Sequence, residues 1–196
     1  MHFTEMAKRV RAHLAQDHRY AHTVRVARCA DLLAAQHGLD TQRARTAGIL
    51  HDLARLYPAA RLIEECRSRQ MPIDAFEAAN PVVLHARVGA AIAREEFGVH
   101  DPHVLSAIEK HTTAAADMSP LDCALYLADG LEPERTFPER AQLWELAKRD
   151  LAQAMRAVLS ASIQHLIRKG IPVAPQTFAA ARALGVSLQE VEVSAN

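Results

Sequence analysis

Apolar residues recur along this chain at helical spacing. Val26, Cys29 and Leu33 form a stripe at i, i+3 and i+7, and Ala44, Ala47 and Ala54 share a second face. The pairs Val88 and Ile92, Val104 and Ile108, and Leu121 and Leu125 mark three more. Helix starts and stops are written between these stripes. Asn80-Pro81, Asp101-Pro102 and Ser119-Pro120 each join a capping residue to a proline at the first helical position. Asp40 offers another side-chain cap, and Thr136 with Glu139 has the spacing of a capping box. Gly38, Gly98 and Gly170 follow helical stretches, where a left-handed residue is wanted. These signals predict helices over 4–16, 19–36, 41–55, 58–69, 81–97, 102–111, 120–130, 138–149, 151–168 and 176–184. The stretches 71–80 and 112–118 read as the least regular parts. With no internal repeat, low-complexity segment or linker, residues 1–196 are expected to form one domain.

Composition supports the helical reading. The chain has 196 residues, the size of one large domain or two small ones. It is 49% hydrophobic but only 5% aromatic, and alanine fills much of the difference, which favours closely packed helices over a sheet. Seven glycines leave little turn chemistry for an all-β chain. The expected class is therefore all-α.

Charge narrows the partners. Lysine and arginine number 23, as do aspartate and glutamate, so no global field draws the chain to nucleic acid or an anionic membrane. No run approaches the roughly 20 apolar residues that cross a bilayer, and the N-terminus carries charges where a signal peptide needs its apolar stretch. Three scattered cysteines, Cys29, Cys66 and Cys123, argue against a disulfide framework or a thiolate zinc site. A reducing, cytoplasmic setting is expected. An alanine-rich helix surface suits a monomer or a homodimer equally.

Eleven histidines stand out in a neutral chain. Extended by a turn or less, the apolar stripes run into polar residues: His22, the His51-Asp52 doublet, His85, His111 and Asp129. A lone histidine on an apolar face is more often a hydrogen-bonded core residue than a ligand. His2, His13, His18, His37, His100, His103 and His165 fall at expected surfaces or ends and carry that bland reading. The set is harder to dismiss. Burying four imidazoles and two carboxylates separately demands a polar solution at each, and an unpaired buried charge costs several kcal/mol. One shared cation satisfies all of them.

Imidazole nitrogen mixed with carboxylate oxygen, without thiolate, suits Fe(II), Mn(II), Co(II), Ni(II) or Zn(II) rather than calcium or a soft metal. His51 and Asp52 are neighbours and diverge on a helix, so both reach one ion only if it lies in the wedge between them. The far side of that ion is left to other helices, from which His22 and Asp129 can reach it.

The order His22, His51-Asp52, Asp129 resembles the HD-domain metal-dependent phosphohydrolases. The segments HRYAHTVRVA (18–27), AGILHDLAR (47–55), LHARVGAAIA (84–93), VLSAIEKHTT (104–113) and MSPLDCALYLADGLEPER (118–135) sharpen this. They are similar to the YqeK family, HD-domain hydrolases that split dinucleoside tetraphosphates symmetrically. The resemblance is strong over 18–140 and weaker to about 184.

The resemblance implies an all-helical HD bundle, with 141–184 as C-terminal helices around the motif core. It implies an iron ion on His22, His51, Asp52 and Asp129, with Mn(II) or another transition metal as the alternative. His22, Asp52, His85, His111, Thr112, Asp129 and Arg135 would surround the substrate, with Asp52, His85 and His111 in catalytic roles. In that scheme Asp52 orients the attacking water. His85 and His111 neutralise phosphate charge or protonate the leaving phosphate, and Arg135 contacts the nucleotide end or its phosphates. Arg87 and Lys110 read as surface charges before phosphate ligands. The expected reaction converts a dinucleoside polyphosphate, diadenosine tetraphosphate, into two ADP. Arg55, Ala114, Cys123, Gly130 and Ala181-Arg182 depart from the family's usual lysine, glycine, lysine, bulky residue and Tyr-Asn pair. An HD phosphohydrolase of another nucleotide, or a nucleotide-binding regulatory module, shares these ligands.

Overall fold

The computed structural model describes residues 2–186, and no strand occurs among them. The chain runs through α1 (Phe3–Leu14), α2 (Asp17–Gln36), α3 (Thr41–Leu50), α4 (Ala59–Ser68) and α5 (Ala75–Ala79). A 3-10 turn over Pro81–Leu84 leads into α6 (His85–Glu95), followed by α7 (Pro102–Lys110), α8 (Pro120–Leu131), α9 (Arg140–Arg149), α10 (Leu151–Arg168) and α11 (Pro175–Ala183). No helix of the described residues is long and apolar enough to cross a membrane.

Most of the caps expected from sequence form. The Asp40 carboxylate accepts from the Arg43 amide at 3.0 Å and Asp101 from His103 at 2.9 Å. Ser119 and Asp122 make a reciprocal capping box at the start of α8. Gly38, Gly98 and Gly170 adopt left-handed φ values of 65°, 67° and 64°. Four expectations fail. Asn80 does not cap the turn that follows it; its side-chain amide donates back to the Phe76 carbonyl at 3.0 Å. Thr136 and Glu139 make no capping box, and α9 begins at Arg140 without a side-chain cap. Helix α5 lies in a stretch expected to be irregular, where Asp74 and Glu77 form the capping box that starts it. Helix α3 ends at Leu50 rather than 55: the chain beyond winds more tightly, through i→i+3 bonds from Leu53 to Leu50, Arg55 to Asp52 and Tyr57 to Ala54.

Helices α2, α3, α7 and α8 pack together at the centre. Helix α6 lies on α7, while α9 and α10 lie on α8, with α11 on α10. Small residues set the closest approach. A Cβ built on Gly48 of α3 would fall 2.5 Å from the Ala27 Cα of α2, so only glycine lets these two backbones touch. Ala30, Ala34, Ala44 and Ala47 are fully buried around that crossing. Larger residues close the core elsewhere, among them Leu50, Leu125, Leu127 and Met155. Each such burial contributes about 1.5–3 kcal/mol. Cys29, Cys66 and Cys123 are all free and buried, and burial pushes the Cys29 and Cys123 thiols up to about 11, leaving them unreactive.

Candidate metal centre and phosphate cleft

Three helical segments each bring a histidine to the same place. His51 follows α3, His85 follows the 3-10 turn and His111 follows α7. In each, Nδ1 lies against the carbonyl three residues back: Gly48 at 2.8 Å, Val82 at 2.6 Å and Ile108 at 2.7 Å. A carbonyl only accepts, so Nδ1 donates its proton and Nε2 keeps its lone pair. The last turn of each segment thereby fixes both ring orientation and tautomer.

His22 comes from the middle of α2, and its Nδ1 donates to Glu132 Oε1 at 3.2 Å. Glu132 is in turn held by Arg25 Nε at 2.6 Å. Burial opposes ionisation of Glu132, but the bonds from Arg25, the Glu134 amide and His22 together outweigh it and keep the carboxyl below its ordinary range. All four histidines thus have Nδ1 engaged by the fold and Nε2 directed at one region.

Two carboxylates face those nitrogens. Asp129 Oδ1 lies 3.1 Å from His22 Nε2 and 3.9 Å from His51 Nε2. Asp52 Oδ2 lies 3.5 Å from His51 Nε2 and 3.7 Å from His22 Nε2, while its Oδ1 lies 3.5 Å from His85 Nε2 and 3.8 Å from His111 Nε2. Donor atoms of His22, His51 and Asp129 fall within 4.8 Å of one another, as do those of His51, Asp52 and His111. The Nε2 atoms of His22 and His51 are buried without a hydrogen-bond partner. Bare imidazole nitrogens aimed at carboxylate oxygens are unfavourable unless positive charge lies among them. A proton relieves one contact. A divalent cation relieves them together, and this nitrogen and oxygen set fits one.

The electrostatics agree. Burial alone would raise the Asp129 carboxyl, but the adjacent His22 imidazole and the nearby His51 and His111 hold it well below the usual carboxylate range. Asp52 is lowered against its burial, chiefly by His51 and His111. Burial pushes His111 down to about 3, helped by His51 and His85, and lowers His85 as well. Both shifts favour the neutral form of the two imidazoles. Their Nε2 atoms lie 3.2 Å apart, with Thr112 Oγ1 3.2 Å from one and 3.1 Å from the other.

A cleft of about 370 Å³ opens over Asp52, His85, His111, Thr112 and Asp129, and its cations are Arg19, Arg55 and Arg135. Arg135 reaches the Asp129 carboxylate at 2.6 Å and the Asp129 carbonyl at 2.9 Å. Arg19 donates to Asp52 Oδ2 at 2.9 Å. Lys110 and Arg87 line a different hollow. There Lys110 pairs with Asp117 and Asp122, and Arg87 with Glu77. Ala114 stands in a left-handed conformation, φ 57°, at the same hollow. Cys123 is buried in the core, as is Ala181, while Arg182 beside it is exposed.

Sequence reasoning brought His22, His51, Asp52, His85, His111, Thr112, Asp129 and Arg135 to one place, and the fold assembles them there. It missed Arg19 and Glu132. Arg19 precedes His22 by three residues and Glu132 follows Asp129 by three, so helical spacing put both on the right faces.

The HD domain family model matches residues 19–134, the span that contains every residue of this cluster except Arg135. The symmetrical bis(5′-nucleosyl)-tetraphosphatase of Bacillus subtilis is 37% identical over 162 residues, covering 83% of this chain and 87% of that protein. Its namesake in Halalkalibacterium halodurans is 38% identical over 170 residues, covering 87% and 90%. The fold matches a crystal structure from Clostridium acetobutylicum, described as a predicted HD superfamily hydrolase involved in NAD metabolism. That match has a TM-score of 0.89 and 32% identity, over 94% of this chain and 97% of the other. The chain belongs to the HD-domain family and, within it, to the YqeK-like symmetrical bis(5′-nucleosyl)-tetraphosphatases.

Proposed function

We propose that this protein is a metal-dependent hydrolase that cleaves diadenosine tetraphosphate symmetrically into two ADP. The observation that carries the reading is the convergence of four oriented imidazoles and two carboxylates beside an arginine-lined cleft. Its relatives carry the matching name.

In this reading His22, His51, Asp52 and Asp129 hold the ion, which we take to be Fe(II), with Mn(II) as a substitute. Bound there, a divalent cation supplies Lewis acidity toward phosphoryl oxygen and acidifies water. Asp52, restrained by Arg19, orients the attacking water against one of the two inner phosphorus atoms. Arg19, Arg55 and Arg135 supply the positive charge that a tetraphosphate needs, by preorganised electrostatics. His85 and His111 start neutral. The arriving phosphate charge favours a proton on one of the facing Nε2 atoms, where it can pass to the leaving phosphate. Thr112 Oγ1 bridges the two rings and steadies that proton.

The test is product analysis. Purified protein with Fe(II) or Mn(II) and diadenosine tetraphosphate is expected to yield two ADP. ATP plus AMP, or tight binding without turnover, overturns the reading.

A further inference from the structure

A second hollow of about 540 Å³ joins the phosphate cleft, and Gly130, Val158 and Ser162 belong to both walls. Its character is different. Phe137, Leu143 and Val158 make it largely apolar, with Arg168 among its few charged residues. Phe137 is exposed, at 37%, although it is a large apolar side chain. The loop that carries it is tied down: Arg135 Nε bonds the Asp129 carbonyl at 2.9 Å and Arg140 Nη1 the Leu131 carbonyl at 3.0 Å. The ring is thus presented on a braced segment.

Gly130 marks the seam. It lies in the last turn of α8, where glycine costs about 1 kcal/mol relative to alanine. Backbone conformation does not demand it, since Gly130 is not among the left-handed glycines. Packing does not demand it either, because an added Cβ would meet only Val158 Cγ1, at an ordinary 3.8 Å. Gly48, by contrast, is required by its contact with Ala27. What the missing side chain at 130 does provide is room at the wall that the two hollows share.

We infer that the hollow behind Gly130 receives one nucleoside of the substrate, its base stacked on Phe137, while the tetraphosphate lies in the arginine-lined cleft. This inference rests on the proposed reaction. The cleft alone, about 370 Å³, is near the lower end of the roughly 300–1,000 Å³ that single small ligands occupy. A molecule with two nucleosides and four phosphates must extend beyond it. The polarity of the walls changes along the path as the ligand does, from cationic beside the phosphates to apolar and aromatic beside the base.

The test uses the metal-loaded full chain and two variants, Phe137→Ala and Gly130→Leu, the first removing the stacking ring and the second filling the seam. Metal content and melting temperature establish that each is folded and loaded. The KM for diadenosine tetraphosphate is expected to rise about ten- to a hundredfold in both variants, the size of a lost base–aromatic stack. In Phe137→Ala, inhibition by inorganic tetraphosphate, which has no nucleoside, is expected to stay within about twofold. If Gly130→Leu fails to fold, Phe137→Ala decides. An unchanged KM in Phe137→Ala, with a wild-type enzyme that does yield two ADP, overturns the nucleoside site and leaves the reaction standing. Equal weakening of substrate and tetraphosphate in Phe137→Ala overturns it as well. If the wild type yields no ADP, the proposed reaction has failed, and the inference falls with it.

Discussion

Arg19 donates to Asp52 Oδ2 at 2.9 Å, and so holds from α2 a carboxylate that follows the end of α3. The arginine is partly exposed and the aspartate almost wholly buried, so the bond fixes the aspartate more than the arginine. Removing it should free the Asp52 side chain while leaving its charge in place. Arg19→Ala is expected to lower kcat/KM by about ten- to a hundredfold, the usual penalty for losing a residue that orients a metal-binding group. Lysine at the same position should restore only part of the rate, since it lacks the planar fork. Steady-state kinetics on both variants, with metal content measured alongside, checks this.

Glu132 fixes the His22 tautomer, and Arg25 fixes Glu132. Glu132→Gln keeps the shape but removes the charge that favours a proton on Nδ1. Metal affinity should fall by roughly tenfold or more, with little change in helix content. Titration of the metal-free protein followed by calorimetry measures the difference, and equal affinity in the two proteins would contradict the assigned role.

The buried imidazoles predict how the metal-free protein responds to acid. Burial holds His111 at about 3 and lowers His85, so the folded state does not take up protons that the unfolded chain binds below about 6.5. Stability is therefore fully present above that value and declines as pH falls from about 6.5 toward 3. The slope is up to about 1.4 kcal/mol per pH unit for His111. Asp52 and Asp129, both held low, extend the loss below about 4. Melting temperatures of chelator-treated protein should drop between pH 7.5 and 5, and a flat profile over that range would falsify the assignment of neutral buried rings.

A bound cation should stabilise the fold by mass action. Manganese at about a hundredfold over its dissociation constant is expected to add about 2.7 kcal/mol, and chelation should reverse it. Asp52→Ala should abolish the response. A melting temperature indifferent to metal in the wild type would count against a shared site.

Gly48→Ala should destabilise without touching the site chemistry. Its Cβ would meet backbone atoms of Ala27, which have no rotamer by which to retreat. Overpacking of this kind costs about 1–3 kcal/mol, or a drop of roughly 2–12 °C in a chain of this size. Thermal melts on the variant measure it directly.

The helical architecture was legible because periodicity and capping agreed: the stripes named the buried faces, and Asp40, Asp101 and Ser119 marked where helices begin. The cluster was legible for a related reason, since His22, His85, His111 and Asp129 interrupt faces that are otherwise apolar. The end of α3 was hidden. Leu53 and Ala54 continue an apolar pattern past Leu50, and both are buried, so periodicity could not register the tighter winding that turns His51 and Asp52 inward. Tertiary contact is tight there too: a Cβ on Gly89 would stand 3.3 Å from the His51 carbonyl. Arg19 and Glu132 escaped notice because a charge one turn from a motif looks like ordinary surface until its partner on another helix is known. Helix α5 was missed although Asp74 is the same kind of N-cap residue as Asp40 and Asp101, with Glu77 completing a capping box.

Two of the four imidazoles, His51 and His111, also finish their helices, through a proton given to the carbonyl three residues back, as His85 does where the 3-10 turn passes into α6. Each of those side chains has two jobs, and replacing one removes a terminator along with a donor. Fraying of any of these ends would rotate a ring away from its neighbours, so a cation bound among them would clamp all of the ends at once. Local loosening at the reaction centre then becomes inseparable from loss of the ion, and the affinity for metal is a direct gauge of how well the bundle is assembled.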